Sequence, residues 1–323
     1  MTKRTLMISV AAISLMAASP AMSKGMLFQL PLVSGSSETI AFGINDSGTI
    51  TGFWLNGSGI ENGFVGPDDG SNYTTFNDDP TGGTQPRGIS KDGYIMGIDD
   101  VESDDPVDYI PYERSPKGKI TDVTMNGTTL NYLVQGINKA NTFTGNYENS
   151  SGQYIGYTGT NAQYSKSIKL KGITNTGVAG RGINDAGDIV GWYLNSSGVE
   201  HGFLLPHGGK AVTIDDPNGT TTLEGINNKG EISGLYTDSS GNRHGFTYDI
   251  KKKKFTELTV SGSTYVEVWG LNDQGLVAID GENSDDVFVG YIYCPSAKVC
   301  PTAASVRSPQ VPVLHRPVPL QMP

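Results

Sequence analysis

The chain has little that could build a helix, hold a polyanion or perform a recognisable reaction. After residue 25 no stretch sets apolar residues at i, i+3, i+4 and i+7 between capping residues, so helical folds are excluded. Only 17% of its 323 residues are charged, with 23 lysines and arginines against 33 aspartates and glutamates. That balance leaves no basic face for nucleic acid or anionic lipid. The one basic cluster, Lys251 to Lys254, falls between two expected strands and reads as a solvated hairpin tip. There is no Gly-x-Ser-x-Gly elbow, no His-Glu-x-x-His and no phosphate-cradling glycine loop before a helix. Beyond the first residues, no run is apolar enough to span a membrane.

Glycine, by contrast, is abundant and periodic. The phrase Gly-Ile-Asn-Asp-x-Gly and its variants open at Gly43, Gly88, Gly136, Gly182, Gly225 and Gly270, at spacings of 45, 48, 46, 43 and 45 residues. Six copies at that period describe one array of similar units rather than several unrelated domains. In the best preserved copy, residues 182–193 lead to an Asn195-Ser196-Ser197-Gly198 turn. His201-Gly202-Phe203-Leu204 follows, and then the short run Ala211-Val212-Thr213-Ile214. Runs of 4 to 7 residues bounded by Gly, Asn, Asp or Pro read as strands, four per repeat. Gly48, Gly93, Gly187, Gly230 and Gly275 supply the positive φ that closes the first hairpin, and Asn141, the next most tolerant residue, takes that slot in the third copy.

The two ends differ from the array. Lys3 and Arg4, an apolar stretch from Leu6 to Ala18, and small residues ending at Ala21 or Ser23 have the form of a signal peptide over residues 1–23. Its removal leaves 21 basic against 33 acidic residues, a formal charge of −12, and implies a secreted or periplasmic protein. In that compartment Cys294 and Cys300, six positions apart, are expected to form a disulfide, since neither a Cys-x-x-Cys motif nor further zinc ligands accompany them. Residues 301–323 carry six prolines and read as a flexible tail.

Residues 24–300 therefore form the repeat domain, and its ends suggest a ring. Leu27-Phe28-Gln29-Leu30 precedes Gly43 by about the distance at which fourth strands precede the other repeats, while the sixth repeat ends in a short Lys298-Val299 run. If the N-terminal segment completes the sixth unit, no long edge stays exposed. The expected fold is all-β: a six-bladed β-propeller of four-stranded antiparallel blades closed by an N-terminal outer strand, with an open solenoid as the alternative.

Over residues 40–293 the pattern Gly-Ile-Asn-Asp-x-Gly-x-Ile-Val-Gly followed by His201-Gly202-Phe203 and His244-Gly245-Phe246 resembles the bacterial extracellular HAF-type repeat, named for its His-Ala-Phe signature. The resemblance implies an exported propeller-type repeat protein and specifies no activity. Three copies depart, with Ile110-Pro111-Tyr112, Ile155-Gly156-Tyr157 and Val289-Gly290-Tyr291, and the first has Asn62 for the histidine. The two repeat histidines, at one shared position a blade apart, are expected to hydrogen-bond within their blades rather than bind metal.

Acidic loops raise calcium as a possible cofactor. Asp99, Asp100, Glu102, Asp104 and Asp105 in the second repeat, and Glu282, Asp285 and Asp286 in the sixth, supply hard oxygens but not the order of an EF-hand. A solvated acidic tip is the simpler reading, so no metal site is assigned.

The position before each repeat glycine varies where its neighbours do not: Phe42, Arg87, Gln135, Arg181, Glu224 and Trp269. In a propeller the first strand of each blade lines the central channel, so these six are the candidate ligand-binding residues, a ring at one channel mouth suited to a polar or anionic ligand. Strict alternation would place them on the face of the constant Ile unless a bulge falls at the glycine. Two classes of function follow. One is a binding module for a glycan or partner protein, with Trp54, Trp192 and Tyr193 as exposed aromatics. The other is a secreted carbohydrate-active enzyme, a lyase or hydrolase, in which Arg87 and Arg181 neutralise a uronate and Glu224 or a nearby Tyr moves the proton.

Overall fold

A computed structural model of the chain describes residues 25–79, 82–101, 108–125, 128–129, 132–263, 265–282 and 287–301. The expected signal peptide, nearly all of the proline-rich tail, and the acids Glu102, Asp104, Asp105, Asp285 and Asp286 lie outside these residues. Among the described residues there is no helix, and the four strands of each repeat pair antiparallel in one sheet. Five sheets have four strands; the third has six, because Thr124–Met125 and Thr128–Thr129 extend its outer edge. The innermost strands are Thr39–Ile44, Gly83–Ile89, Tyr132–Ile137, Gly177–Ile183, Thr220–Ile226 and Val266–Leu271.

The ring closes as the two ends suggest. Met26–Gln29 pairs antiparallel with Phe288–Cys294, from Met26 opposite Cys294 to Gln29 opposite Tyr291, and so becomes the outer strand of the sixth blade. A disulfide joins Cys294 to Cys300, and Cys294 is fully buried in the core formed where the first and last blades meet. This is a six-bladed β-propeller.

Between blades the core is built from one repeated position. Phe64, Tyr112, Tyr157, Phe203 and Phe246, each following the third-strand glycine or its counterpart, are all at most 1% exposed. Each such ring stabilises the packed blades by about 1.5–3 kcal/mol. The turn glycines adopt the expected left-handed backbone, with φ from 71° at Gly48 to 87° at Gly187, and Asn141 does so at 54°. Lys251 to Lys254 form the exposed hairpin tip expected of them.

The repeat glycines have a different duty. A Cβ on Gly182 would lie 2.8 Å from the Gly225 Cα, one on Gly136 3.1 Å from the Gly182 Cα, and one on Gly43 3.2 Å from the Gly88 Cα. Glycine thus faces glycine across neighbouring blades, and the innermost strands draw together into a waist that divides the channel into two mouths.

The asparagine of Gly-Ile-Asn fastens the blades to one another. Its Oδ1 accepts two backbone N–H groups of its own hairpin, as Asn227 does from Lys229 and Glu231 at 2.9 Å each. Its Nδ2 donates to the next blade's backbone: Asn138 to the Asn184 carbonyl at 3.0 Å, Asn184 to Asn227 at 3.4 Å, Asn227 to Asn272 at 3.0 Å, and Asn45 to Ser90 at 3.0 Å. Asn272 donates to the Asn45 carbonyl at 3.1 Å, across 227 residues of sequence, and closes the circle. The second blade carries Ser90 in place of asparagine, too short for the amide arm, so the joint between blades two and three lacks this latch.

Replacing Asn227 by Ala leaves two hairpin N–H groups without their acceptor and the buried Asn272 carbonyl with the Gly275 N–H alone, and should cost about 1–3 kcal/mol in chemical denaturation. Ser90→Asn supplies the missing arm and should add about 1 kcal/mol on the same measurement.

Candidate functional site

The alternation problem is resolved in the same way six times. In every blade the register between first and second strands slips at the variable position: between Ala41 and Gly43, Pro86 and Gly88, Val134 and Ile137, Gly180 and Ile183, Leu223 and Gly225, and Val268 and Leu271. A bulge adds one unpaired residue and re-aims the side chains around it. The constant Ile44, Ile89, Ile137, Ile183, Ile226 and Leu271 then line the mouth on the hairpin-turn side. The variable side chains meet one another instead.

All six come together as two interlocked groups. The Phe42 and Trp269 rings pack edge to face with centroids 4.4 Å apart, and the Arg87 guanidinium lies 4.5 Å from the Phe42 ring and 5.7 Å from that of Trp269. Stacking on two rings suits a planar, delocalised cation. Arg87 also donates to Gln85 Oε1 at 2.6 Å, and Gln85 donates in turn to Glu61. On the other side Arg181 Nε lies 3.8 Å from Glu224 Oε1, while Gln135 Nε2 reaches from the third blade to Glu224 Oε2 on the fifth at 3.5 Å. Phe42, Arg87, Gln135 and Glu224 are between 3% and 7% exposed, so they form a packed layer rather than an open ring. The Arg181 side chain, at 14% exposed, reaches closer to solvent. The Nε atoms of Arg87 and Arg181 are buried without a hydrogen-bond partner among the described residues.

A second variable ring surrounds this layer. The residue two before the third-strand glycine, or before its Pro111 counterpart, is Glu61, Tyr109, Tyr154, Glu200, Arg243 or Phe288, and all six are partly exposed. Glu61 accepts from Gln85, Glu200 accepts from Thr222, and Arg243 binds Glu267, each meeting the innermost strand of the next blade. Sequence comparison of constant and variable positions could have found this ring, since it varies as freely as the first. What it could not give is the cross-blade pairing.

Burial holds several carboxyl groups in and beside this layer above their usual range. Burial raises Glu224, opposed by Arg181, and burial raises Glu200, opposed by the Thr222 hydroxyl that donates to it. Asp280 is fully buried, and burial together with Glu267 pushes it well above the ordinary aspartate value. Trp269 Nε1 donates to Asp280 Oδ1 at 2.6 Å, and Tyr265 donates to Glu267 Oε1 at 2.8 Å. Asp280 thus lies in the core, while its neighbour Glu267 is held by a phenol and an arginine.

Other candidate residues have structural partners. His201 bonds Asn195 of its hairpin turn at 2.9 Å and Asp215 at 2.8 Å, and stacks on Tyr193. His244 bonds Asp238 at 3.1 Å and stacks on Tyr236. Both are thus tied within their own blades, and among the described residues no three His, Cys, Asp or Glu side chains gather as a metal-binding group. Trp192 and Tyr193, expected as exposed aromatics, are buried at 3% and 6%, and Trp54 packs against the core. They sit on second strands, whose faces the neighbouring blades cover. Asp99 and Asp100, expected in a loop, lie within the strand Ile95–Val101, where buried Asp99 accepts the Thr84 hydroxyl at 2.7 Å. That position removes both from a loop site.

No family model matches the chain, and no curated protein matches its sequence. Solved structures do match its fold. TolB from Acinetobacter baumannii superposes with a TM-score of 0.53 at 13% identity, covering 76% of this chain, which spans 64% of the length of that protein. A putative TolB from Agrobacterium tumefaciens gives 0.50 at 11% identity over 66% of this chain and 75% of that one. AofleA from Arthrobotrys oligospora, as a triple arginine-to-alanine mutant, gives 0.50 at 12% identity over 84% and 86%. At such identities the likeness is one of fold.

The raised Asp280 fixes a pH dependence. Its folded value lies above the unfolded one, so its contribution to stability is complete below about pH 4 and is lost as pH rises toward the folded value. Asp280→Asn keeps an acceptor for Trp269 and cannot ionise. Denaturation midpoints of this variant should fall less than those of the unaltered protein as pH rises above about 4, and equal slopes would contradict a raised Asp280.

Proposed function

We propose that the chain is an exported propeller of the HAF-repeat kind that acts as a binding module, taking a polar or anionic glycan group at the mouth bounded by the six variable residues. The observation that carries this reading is the convergence of Phe42, Arg87, Gln135, Arg181, Glu224 and Trp269 from six blades, with two arginine Nε atoms left without a hydrogen-bond acceptor. Buried donors are ordinarily satisfied, so an unmet pair at a channel mouth suits an acceptor brought by a ligand. Arg181 would make the contact, with Tyr109 and Tyr154 at the rim offering ring faces and hydroxyls, while Arg87 keeps the layer in place from below. The disulfide supports export, because such bonds persist in oxidising compartments.

A carbohydrate-active enzyme is the second reading. It is favoured by the raised Glu224, a carboxyl able to carry a proton beside Arg181. Glu224 is nevertheless 6% exposed and engaged by Gln135 and Arg181, a poor position from which to meet a substrate.

A glycan array read together with an assay for new unsaturated or reducing sugar ends separates the two. Binding without new ends is the expected result, and Arg181→Ala should weaken that binding about 10- to 150-fold, the loss of one charge-assisted contact. Turnover would replace the module reading with the enzyme, and no binding to any glycan would end both.

A further inference from the structure

The opposite mouth, on the hairpin-turn side of the glycine waist, holds an incomplete ring. Its well of about 70 Å³ is floored by the constant Ile and Leu side chains and rimmed by the residue after each latch position: Asp46, Lys91, Lys139, Asp185, Asn228 and Asp273. At four joints the rim residue's backbone N–H donates to a side-chain oxygen of the next rim residue: Lys139 to Asp185 at 3.0 Å, Asp185 to Asn228 at 2.9 Å, Asn228 to Asp273 and Asp273 to Asp46 at 2.8 Å. At the other two joints the next residue is Lys91 or Lys139, which offers no oxygen. The N–H groups of Asp46 and Lys91 therefore have no acceptor among the described residues. Lys91 forms no ion pair among those residues, and Lys139 sits 3.5 Å from Asp185. The adjoining Ser90 also lacks the amide arm, so the latch ring is broken at the second of these two joints.

We propose that this break is a carboxylate-binding site. A small carboxylate ligand seated over the first three blades takes the place that Asp185, Asn228, Asp273 and Asp46 fill elsewhere in the ring. Its oxygens accept the Asp46 and Lys91 N–H groups and pair with the Lys91 and Lys139 ammonium groups. Carboxylate is preferred over a larger anion because the four complete joints use a planar carboxylate or amide at that same position, and because the well is small. The site is independent of the glycan mouth, which lies beyond the glycine waist.

The test is a titration of the isotope-labelled mature protein with sodium acetate, against sodium chloride at equal ionic strength, followed through backbone amide shifts. Saturable shifts at Asp46 and Lys91, with little change at Asn228 and Asp273, are expected for acetate. Lys91→Asp supplies an oxygen to the Asp46 N–H from within the chain and removes one ammonium group; it should abolish the acetate response at Asp46 and raise the thermal midpoint. If that variant does not fold, Lys91→Met keeps both N–H groups and should weaken acetate about tenfold, equivalent to about 1.4 kcal/mol. Arg181→Ala should leave the response unchanged. Equal shifts with chloride, no saturable shift, an Asp46 response that survives in folded Lys91→Asp, or an undiminished response in Lys91→Met would overturn the proposal.

Discussion

The amide latch from one blade to the next is the contact on which the rest of this propeller depends. A single asparagine side chain both shapes its own hairpin through Oδ1 and holds its neighbour through Nδ2, so local turn and global ring are set by the same residue. That coupling explains why the repeat keeps Asn next to Gly and Ile. The glycine lets innermost strands approach closely enough for the short amide arm to span the joint. The isoleucine fills the space beneath, and the aromatic of the third strand packs the outer part of the blade interface. The last joint is made by the same bond as the others, which lets Met26–Gln29 complete the sixth blade without a special device.

The joint without the latch has another tie. Where Ser90 interrupts the ring, the connection from the second blade runs outward, and Thr124 pairs in parallel with Gln163 at the edge of the third blade. Its N–H also donates to the Ala162 carbonyl at 3.1 Å. The second and third blades are thus held at the rim by backbone pairing where they are not held at the axis. Lost inner contacts and gained outer ones occur at the same joint, which leaves the axial end of that joint open to a ligand.

Much of the fold was legible because it repeats. Strand positions, the turn residues Gly48 to Gly275, the role of Asn141, the N-terminal closing strand and the Cys294 to Cys300 bond all follow from local chemistry compared across copies. The six variable residues were legible as candidates but not as a layer. Their direction depends on a bulge formed between two paired strands, and strict alternation gives the wrong face. Trp192 and Tyr193 were misplaced for a related reason: both faces of a propeller blade are covered, so an aromatic on a second strand is core and not surface. The network of Glu267, Asp280, Tyr265 and Arg243 was not legible. Its strength lies in burial and in pairs made across blades, neither of which the order of residues records.

The central claim is that side chains of neighbouring blades, rather than strand ladders alone, hold the ring at its axis. Native-state hydrogen exchange of the rim amides tests it directly, because these N–H groups lie in exposed turns with no backbone partner. Slow exchange at Lys139, Asp185, Asn228 and Asp273, with fast exchange at Asp46 and Lys91, is the pattern that the cross-blade rim bonds predict. Uniformly fast exchange at all six would contradict it.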